Sequence, residues 1–454
     1  MSEREPTVED GETGPLDTFR RFFALQRDVL VLSVAMFAFS LGFQMTNRFV
    51  PEYLVALGAS GFVVGLFGTA GNVVSALYPY PGGAISDRIG SRYSLTLFGA
   101  LSTVGFGIWL LAPDLGAFSV GGVTIRPWIW IFVGLFFAQA WKSFGLGASF
   151  AVVKQATAPS RLAAGFASTE TFRRSAFLLG PVLAAVLLGL HPAFTLGFRY
   201  VLAVAVVFGV LGTVAQHVLY DASEDTIGDS FDGFVRIRSD LRGMPDPLRP
   251  LLIGDTLVRF ANGMVYVFFV LVVTQFYEVG FDATVALGGS EYAIDLSPAV
   301  FFGYLLGVEM LVALLTMAPA AKAAERVGLK PVVAFGFLVY GVFPVVLIAG
   351  PEVLAPALSL QWAMVLVFAF SGLRFAGLPS HKALIVGPAE RDAGGRVTGT
   401  YYLLRNSIVI PSAAIGGSLW EFVSPEVAFG IAAVIGVIGT GYFLVFGKEF
   451  DAYA

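Results

Sequence analysis

Charged side chains stand inside otherwise apolar stretches of this chain: Arg48, Lys142, Glu170, Arg173, Arg174, Asp255, Arg259, Glu309, Arg374 and Arg405. An ion left in hydrocarbon costs about 2.5–3.5 kcal/mol on insertion scales, so such groups must face one another or an aqueous cavity. Glu309 has no charged neighbour on its own predicted helix. A carboxyl in low dielectric gains proton affinity, which suits it to taking up and releasing a proton. The competing reading is an ion pair or hydrogen bond to one of the arginines. Asp255 is a second proton-handling candidate, and Arg259 lies one turn on as an i,i+4 partner. Arg48, Lys142, Arg259, Arg374 and Arg405 either line a cationic cavity that attracts an anionic solute or are neutralised by Glu52, Glu170, Asp255 and Glu309. Gln44, Asn47, Asn262, Tyr401, Tyr402 and Asn406 add polar groups able to hydrogen-bond a ligand. Arg173 and Arg174, within a turn of Glu170, read as structural. His191, His217 and His381 fall near the ends of apolar runs and read as interface residues.

The elements that position these residues must be membrane helices. Of 454 residues 56% are hydrophobic and 13% charged, with a mean hydropathy of +0.78, whereas a soluble domain carries about 25% charge. Apolar spans are predicted near 29–51, 60–81, 93–112, 128–153, 164–190 and 199–219, and again near 251–276, 298–320, 331–349, 359–380, 397–420 and 427–446. Each matches the roughly 20 residues that cross a bilayer core. The predicted fold is therefore all-α, with twelve transmembrane helices in two six-helix bundles. The division is a tail over 1–28, a first bundle over 29–219, a linker over 220–250, a second bundle over 251–446 and a tail over 447–454. Within the linker Phe231, Phe234, Val235 and Leu241 alternate with Arg236, Arg238 and Arg242, the pattern of a helix lying on a membrane surface. The acid-rich run from Glu278 to Asp295 reads as an extracellular loop.

Bases fix the expected orientation. Arg88, Arg92, Lys154, Arg161, Lys322, Arg326, Lys330, Lys382, Arg391 and Arg396 cluster on alternate connections, while the intervening ones hold Arg126 and Arg199. This asymmetry places both termini in the cytoplasm of a multi-pass cell-membrane protein. No apolar segment with a small-residue cleavage site precedes residue 29, so no cleaved signal peptide is expected. An excess of acid, net charge -4, disfavours a nucleic-acid partner. Cys is absent, which excludes disulfides and thiolate metal sites. No phosphate-binding loop and no spaced set of metal ligands is present, so no cofactor, metal or enzymatic activity is expected.

One short charged run occurs twice. Gly83-Ala84-Ile85-Ser86-Asp87-Arg88-Ile89-Gly90-Ser91-Arg92 is matched by Ala321-Lys322-Ala323-Ala324-Glu325-Arg326-Val327-Gly328-Leu329-Lys330. Other positions repeat at nearly the same offset: Lys142 and Gly145 over Arg374 and Gly377, and Arg161, Gly165 and Pro181 over Arg391, Gly395 and Pro411. An internal repeat of this length marks a duplicated helical bundle. The run is similar to the loop joining helices 2 and 3, and its echo joining helices 8 and 9, in the major facilitator superfamily. Spans 3, 6, 9 and 12 lack interior charge, in keeping with that family, where every third helix is peripheral; among the other spans the second is a partial exception, offering only Asn72.

The resemblance implies two bundles related by an axis along the membrane normal, surrounding a central cavity. It also implies gating by Gly83, Asp87, Arg88, Gly90 and Arg92 and by Glu325, Arg326, Gly328 and Lys330. An acid there would pair with a helix N-terminus or a nearby base, and breaking the pair would let the halves rock. The plain alternative is a topology-setting basic loop. In the family an Arg on the fourth helix precedes a Gln-Gly-x-Gly run. Lys142 stands in its place here, and Gly145-Leu146-Gly147-Ala148 follows one residue early. Gly180-Pro181 resembles the centre of the family's exporter motif, with Ala167, Ala176, Ala184 and Ala185 where glycines would flank it. The implied function is secondary active transport of a small organic solute by alternating access. Proton-coupled efflux by an antiporter is the first form, proton-coupled uptake of an organic anion the second, and a non-transporting solute sensor the third. A substrate, protons and lipid are the expected partners of a monomer. Glu309 or Asp255 would carry the proton, and Gln44, Asn47, Arg48, Lys142, Arg259, Asn262, Arg374, Tyr401, Arg405 and Asn406 would line the cavity.

Overall fold

A computed structural model describes residues 27–78, 85, 88–120, 123–143, 162–219, 248–287, 290–386 and 394–449, and the statements below concern those residues. Long apolar runs broken by turn residues fold as an up-and-down series of helices. In the first half α1 covers Arg27–Thr46 and, past a turn at 47–49, Val50–Ala56. It is followed by α2 (Gly61–Leu77), α3 (Ser91–Leu115), α4 (Ile129–Ser143), α5 (Leu162–Leu188) and α6 (Phe194–Leu219). In the second half α7 is Leu248–Phe276, α8 Pro298–Val327, α9 Leu329–Leu354 and α10 Leu360–Ile385. Gly394–Val409 and Ser412–Phe422 form α11, and Pro425–Phe446 forms α12. Seven of these, α3, α6 to α10 and α12, are long and apolar enough to cross a membrane by length and composition. The amphipathic segment expected within 220–247 lies outside the described residues.

Local chemistry sets the helix ends. Ser60 and Ser424 accept hydrogen bonds from the backbone N–H groups of Val63 and Val427, capping α2 and α12, and Pro298 and Pro425 occupy first-turn positions that need no N–H donor. The duplicated loop is duplicated in backbone too: Gly90 before α3 has φ 80° and ψ 161°, and Gly328 before α9 has φ 89° and ψ 164°. That combination belongs almost solely to glycine, so the two loops keep glycine for the same steric reason.

The acid-rich run after α7 has regular structure of its own. Phe281–Leu287 (β3) pairs with Ser290–Leu296 (β4) as an antiparallel hairpin, and Phe118–Val120 (β1) pairs with Val123–Ile125 (β2) between α3 and α4. A Gly-Gly pair separates the strands in each case, Gly121-Gly122 and Gly288-Gly289, a two-residue hairpin signal in the sequence. Both hairpins lie at the end of the molecule where odd-numbered helices hand over to even-numbered ones, hereafter the hairpin end. The opposite end carries the duplicated loops.

The halves meet along two seams built on small residues. At the hairpin end α2 crosses α11 so closely that a methyl on Gly65 would lie 2.5 Å from the Ala413 carbonyl oxygen and 2.8 Å from Gly417 Cα. The Gly61 N–H donates to the Glu421 carboxylate (2.8 Å), and the Ala414 N–H donates to Thr69 Oγ1 (2.9 Å). In the second seam α5 packs on α8, with a methyl on Gly303 falling 2.7 Å from Ala185 Cβ and 2.9 Å from the Pro181 carbonyl. One continuous core runs through both halves, and Phe49 of α1 meets Phe302 of α8 edge to face (5.6 Å). A smaller core near the opposite end is confined to the second half.

Candidate functional site

Two fully buried carboxylates organise the charges inside the molecule. Glu309, on α8, is 0% exposed. Arg48 reaches it from the first half, Nη2 to Oε2 at 3.3 Å, and Arg374 from α10 donates Nη2 to Oε1. Each arginine sits where its helix departs from α geometry: Arg48 in the turn that interrupts α1, Arg374 in a 3₁₀ turn of α10. α7 also tightens into a 3₁₀ turn, at Tyr266–Phe268, and the Tyr266 ring lies 4.3 Å from Arg48 Cζ. Non-helical backbone at membrane depth is tolerated only inside protein or beside a cavity. Aromatic faces enclose Arg374, with Phe375 at 4.8 Å, Tyr340 at 5.2 Å and Phe343 at 5.4 Å from Cζ. These rings favour the cation but accept no ordinary hydrogen bonds. Arg48 Nη1 and Arg374 Nε and Nη1 accordingly have no hydrogen-bond partner among the described residues.

Asp255, on α7, is also 0% exposed, and all its partners belong to the second half. Arg259 Nε lies 3.2 Å from Oδ1, while Arg405 Nη1 and the Tyr401 hydroxyl each donate to Oδ2 at 3.0 Å. His381 Nε2 is 3.2 Å from the same oxygen, within ion-pair distance but off the hydrogen-bond direction. Asn406 holds the far side of Arg405, its Oδ1 accepting from Nε (3.2 Å) and Nη2 (3.0 Å). The two clusters touch through α9: the Tyr340 ring is 4.7 Å from Arg259 Cζ and 5.2 Å from Arg374 Cζ. A void of about 10 Å³ lined by Arg259, Tyr340, Arg374 and His381 separates them, the space of roughly one water.

The structure therefore pairs four of the five expected cavity bases with the two candidate proton carriers. Lys142 differs from its repeat mate Arg374: it is exposed, with its ammonium 5.5 Å from the Phe43 ring of α1, whereas Arg374 is 2% exposed. Gln44, Asn47 and Asn262 are half-buried, and Tyr401 is buried. Gly180 and Pro181 lie where three helices meet. A methyl on Gly180 would fall 2.6 Å from Gln44 Cβ of α1, while the Pro181 carbonyl faces Gly303 of α8. Arg174 Nη1 donates to Met317 Sδ on α8 (3.1 Å), a contact across the halves rather than only within its own helix. The side chains of Glu170 and Arg173 lie outside the described residues.

In the first duplicated loop Gly83 and Asp87 lie outside the described residues, Arg88 is exposed and Arg92 half-buried. In the second, Glu325 and Arg326 are exposed and Lys330 is half-buried. The carboxylate at the α9 N-terminus is that of Glu449: it accepts from the Lys330 N–H at 2.8 Å, and a methyl on Gly328 would lie 2.5 Å from it. Sequence reading passed over Glu449, which sits beyond α12, because nothing local ties it to that loop. It also placed His381 at the interface. His381 is 3% exposed against Asp255, since α10 continues past its 3₁₀ turn and carries residue 381 into the core rather than ending before it. Tyr340 escaped notice because a lone tyrosine on an apolar helix carries no signal of its own.

No family model matches the chain. It is 20% identical over 424 residues, 93% of its own length and 95% of the relative's, to an uncharacterised MFS-type transporter of Methanocaldococcus jannaschii. An uncharacterised MFS-type transporter of Mycobacterium tuberculosis is 30% identical over 198 residues, 43% of this chain and 42% of that one. Among solved structures the nucleoside transporter NupG matches with a TM-score of 0.70 at 12% identity, over 92% of this chain and 100% of that one. A peptide transporter POT in complex with alafosfalin matches at 0.67 and 17% identity, covering 94% and 96%. A bacterial homologue of the iron transporter ferroportin in an inward-facing state matches at 0.69 and 12% identity, covering 93% and 99%.

Proposed function

We propose, from the premise that this chain is a multi-pass membrane protein with the major facilitator fold of MFS-type transporters, that it is a proton-coupled secondary transporter of a small organic solute. The observation that carries the reading is Glu309. Its carboxylate is the one place among the described ion pairs where an acid of one half meets a base of the other. Protonating it weakens the tie between α1 and α8, so the charge on Glu309 and the approach of the halves are thermodynamically linked. With the basic connections on the cytoplasmic side, the hairpin end faces outward. The α2–α11 seam then supports an arrangement closed to the outside, in which rocking must separate Gly65 from Gly417. The duplicated loops at the cytoplasmic end would hold the alternative state.

Efflux in exchange for protons and uptake together with them place different demands on this site. Gly180-Pro181, at the junction of α1, α5 and α8, favours exchange through its likeness to the exporter motif. The guanidinium groups left by a protonated Glu309 favour symport, because loading a proton increases the positive charge of the site. The test is proton movement, followed by a pH-sensitive dye in proteoliposomes challenged with organic anions and lipophilic cations. Solute-driven proton movement that is lost in Glu309→Gln, with solute exchange at equal pH retained, is the expected result. Proton movement undiminished in Glu309→Gln overturns the assignment.

A further inference from the structure

Among the described residues the cluster around Glu309 carries more guanidinium donors than acceptors. Two arginines face one carboxylate, each arginine more than nine-tenths buried, Arg48 at 9% and Arg374 at 2% exposure. Three guanidinium N–H positions, Arg48 Nη1 and Arg374 Nε and Nη1, have no acceptor among the described residues. Buried donors are almost always satisfied, and a guanidinium in low dielectric is a costly group to leave so. Among the described residues α7 brings Tyr266, α9 Tyr340, and α5 Pro181, Val182 and Ala185, with Arg174 farther along; none of these supplies a carboxylate. The Asp255 cluster shows the contrast, since Asn406 takes up the remaining face of Arg405 there.

We infer that Arg48 and Arg374 form the binding site for the carboxylate of a small monoanionic organic acid, and that this acid is the transported solute. The inference rests on the transport reading of the same site. A guanidinium fork matches a carboxylate in two parallel N–H···O bonds, and these two forks come from opposite halves, so one bound carboxylate spans the surfaces that must rock. Charge balance selects the monoanion. A proton delivered from the outer solution to Glu309 removes one negative charge, and the incoming carboxylate restores it. Two arginines and one anion are present before and after, and the buried site need not change its net charge to be loaded. Proton and acid therefore enter together, which makes the cycle an electroneutral symport. The aromatic faces of Tyr266, Phe343 and Phe375 stand beside the arginines and suit a planar or apolar remainder.

Binding of benzoate, lactate, inorganic phosphate and tetraphenylphosphonium to the purified full-length protein, by calorimetry at pH 5.5 and 7.5, tests this. Benzoate or lactate should bind at least tenfold tighter at pH 5.5, and this pH effect should vanish in Glu309→Gln. Arg374→Lys, which keeps the charge but loses the fork, and Arg48→Gln should each weaken binding at least tenfold, and the exposed Lys322→Gln should not. Phosphate bound in preference to both monocarboxylates, or carboxylate binding unaffected by Arg374→Lys in a protein that melts like the parent, overturns the inference. Proton flux driven by tetraphenylphosphonium alone would sink the anion site and leave proton-coupled transport standing. Carboxylate binding with the expected arginine dependence but no proton flux would keep the site and sink the coupling.

Discussion

Glu309 and Asp255 are alike in burial and unlike in company. Asp255 draws its partners from α7, α10 and α11 of a single half, and its two oxygens are covered by Arg259, Arg405 and Tyr401 with His381 alongside. Glu309 is held by one arginine from each half, and both arginines keep unused N–H groups. A buried ion pair whose members move together is part of the scaffold. One whose members come from different halves ties those halves together. The same residue types at the same depth thus make different connections according to which helices supply the partners.

The widest contrast is expected from removing each acid. Asp255→Ala leaves Arg259 and Arg405 facing each other without an anion, and breaking a buried pair of this kind costs about 3–5 kcal/mol. A large fall in melting temperature in detergent, or loss of folded protein, is expected. An Asp255→Ala protein as stable as the parent would end its reading as scaffold. Glu309→Gln keeps the shape and an acceptor oxygen, so melting should fall by a smaller amount, about 1–3 kcal/mol, and added benzoate should restore part of it. No stabilisation of that variant by any carboxylate would erase the distinction drawn between the clusters.

Smaller effects belong to the seam at the hairpin end. Gly65→Val puts side-chain atoms where the Ala413 carbonyl and Gly417 already lie, so the α2–α11 seam should fail to close. The chain has no cysteine, and a single Thr69→Cys reporter should pass from slow to fast labelling by an impermeant maleimide when Gly65→Val is added. Unchanged labelling would mean that the seam is held elsewhere. Least of all, Glu421→Gln removes a negative charge from the N-terminus of α2, worth about 0.3–1 kcal/mol, and should shift the same labelling only modestly.

Much of this was legible in the chain. The duplicated loop announced the fold, and the equal φ and ψ of Gly90 and Gly328 show why its glycine recurs. Arg48, Arg259, Arg374, Arg405, Asp255 and Glu309 stood out because charge in an apolar run is costly wherever it lies. The hairpins carried a signal too, in Gly121-Gly122 and Gly288-Gly289 between short strands, which in the second was outweighed by an acid-rich composition. Pairing was not legible. Arg259 could be assigned to Asp255 from one-turn spacing, while the assignment of Arg48 to Glu309 joins residues 261 positions apart. Glu449 at α9, Glu421 at α2 and Tyr340 between the arginines have no local pattern at all.

By itself the sequence determined that this is a duplicated membrane bundle and which ions are candidates for its interior, because hydropathy, loop chemistry and the cost of burying charge act on residues one at a time. Only the tertiary structure decided that Glu309 joins the halves and Asp255 does not. That choice depends on how each helix is rotated and how closely its glycines let a neighbour approach, and on departures from α geometry at Arg48, Tyr266 and Arg374. These are set by packing among segments far apart in the chain, where a fraction of an ångström separates a bonded pair from an unbonded one.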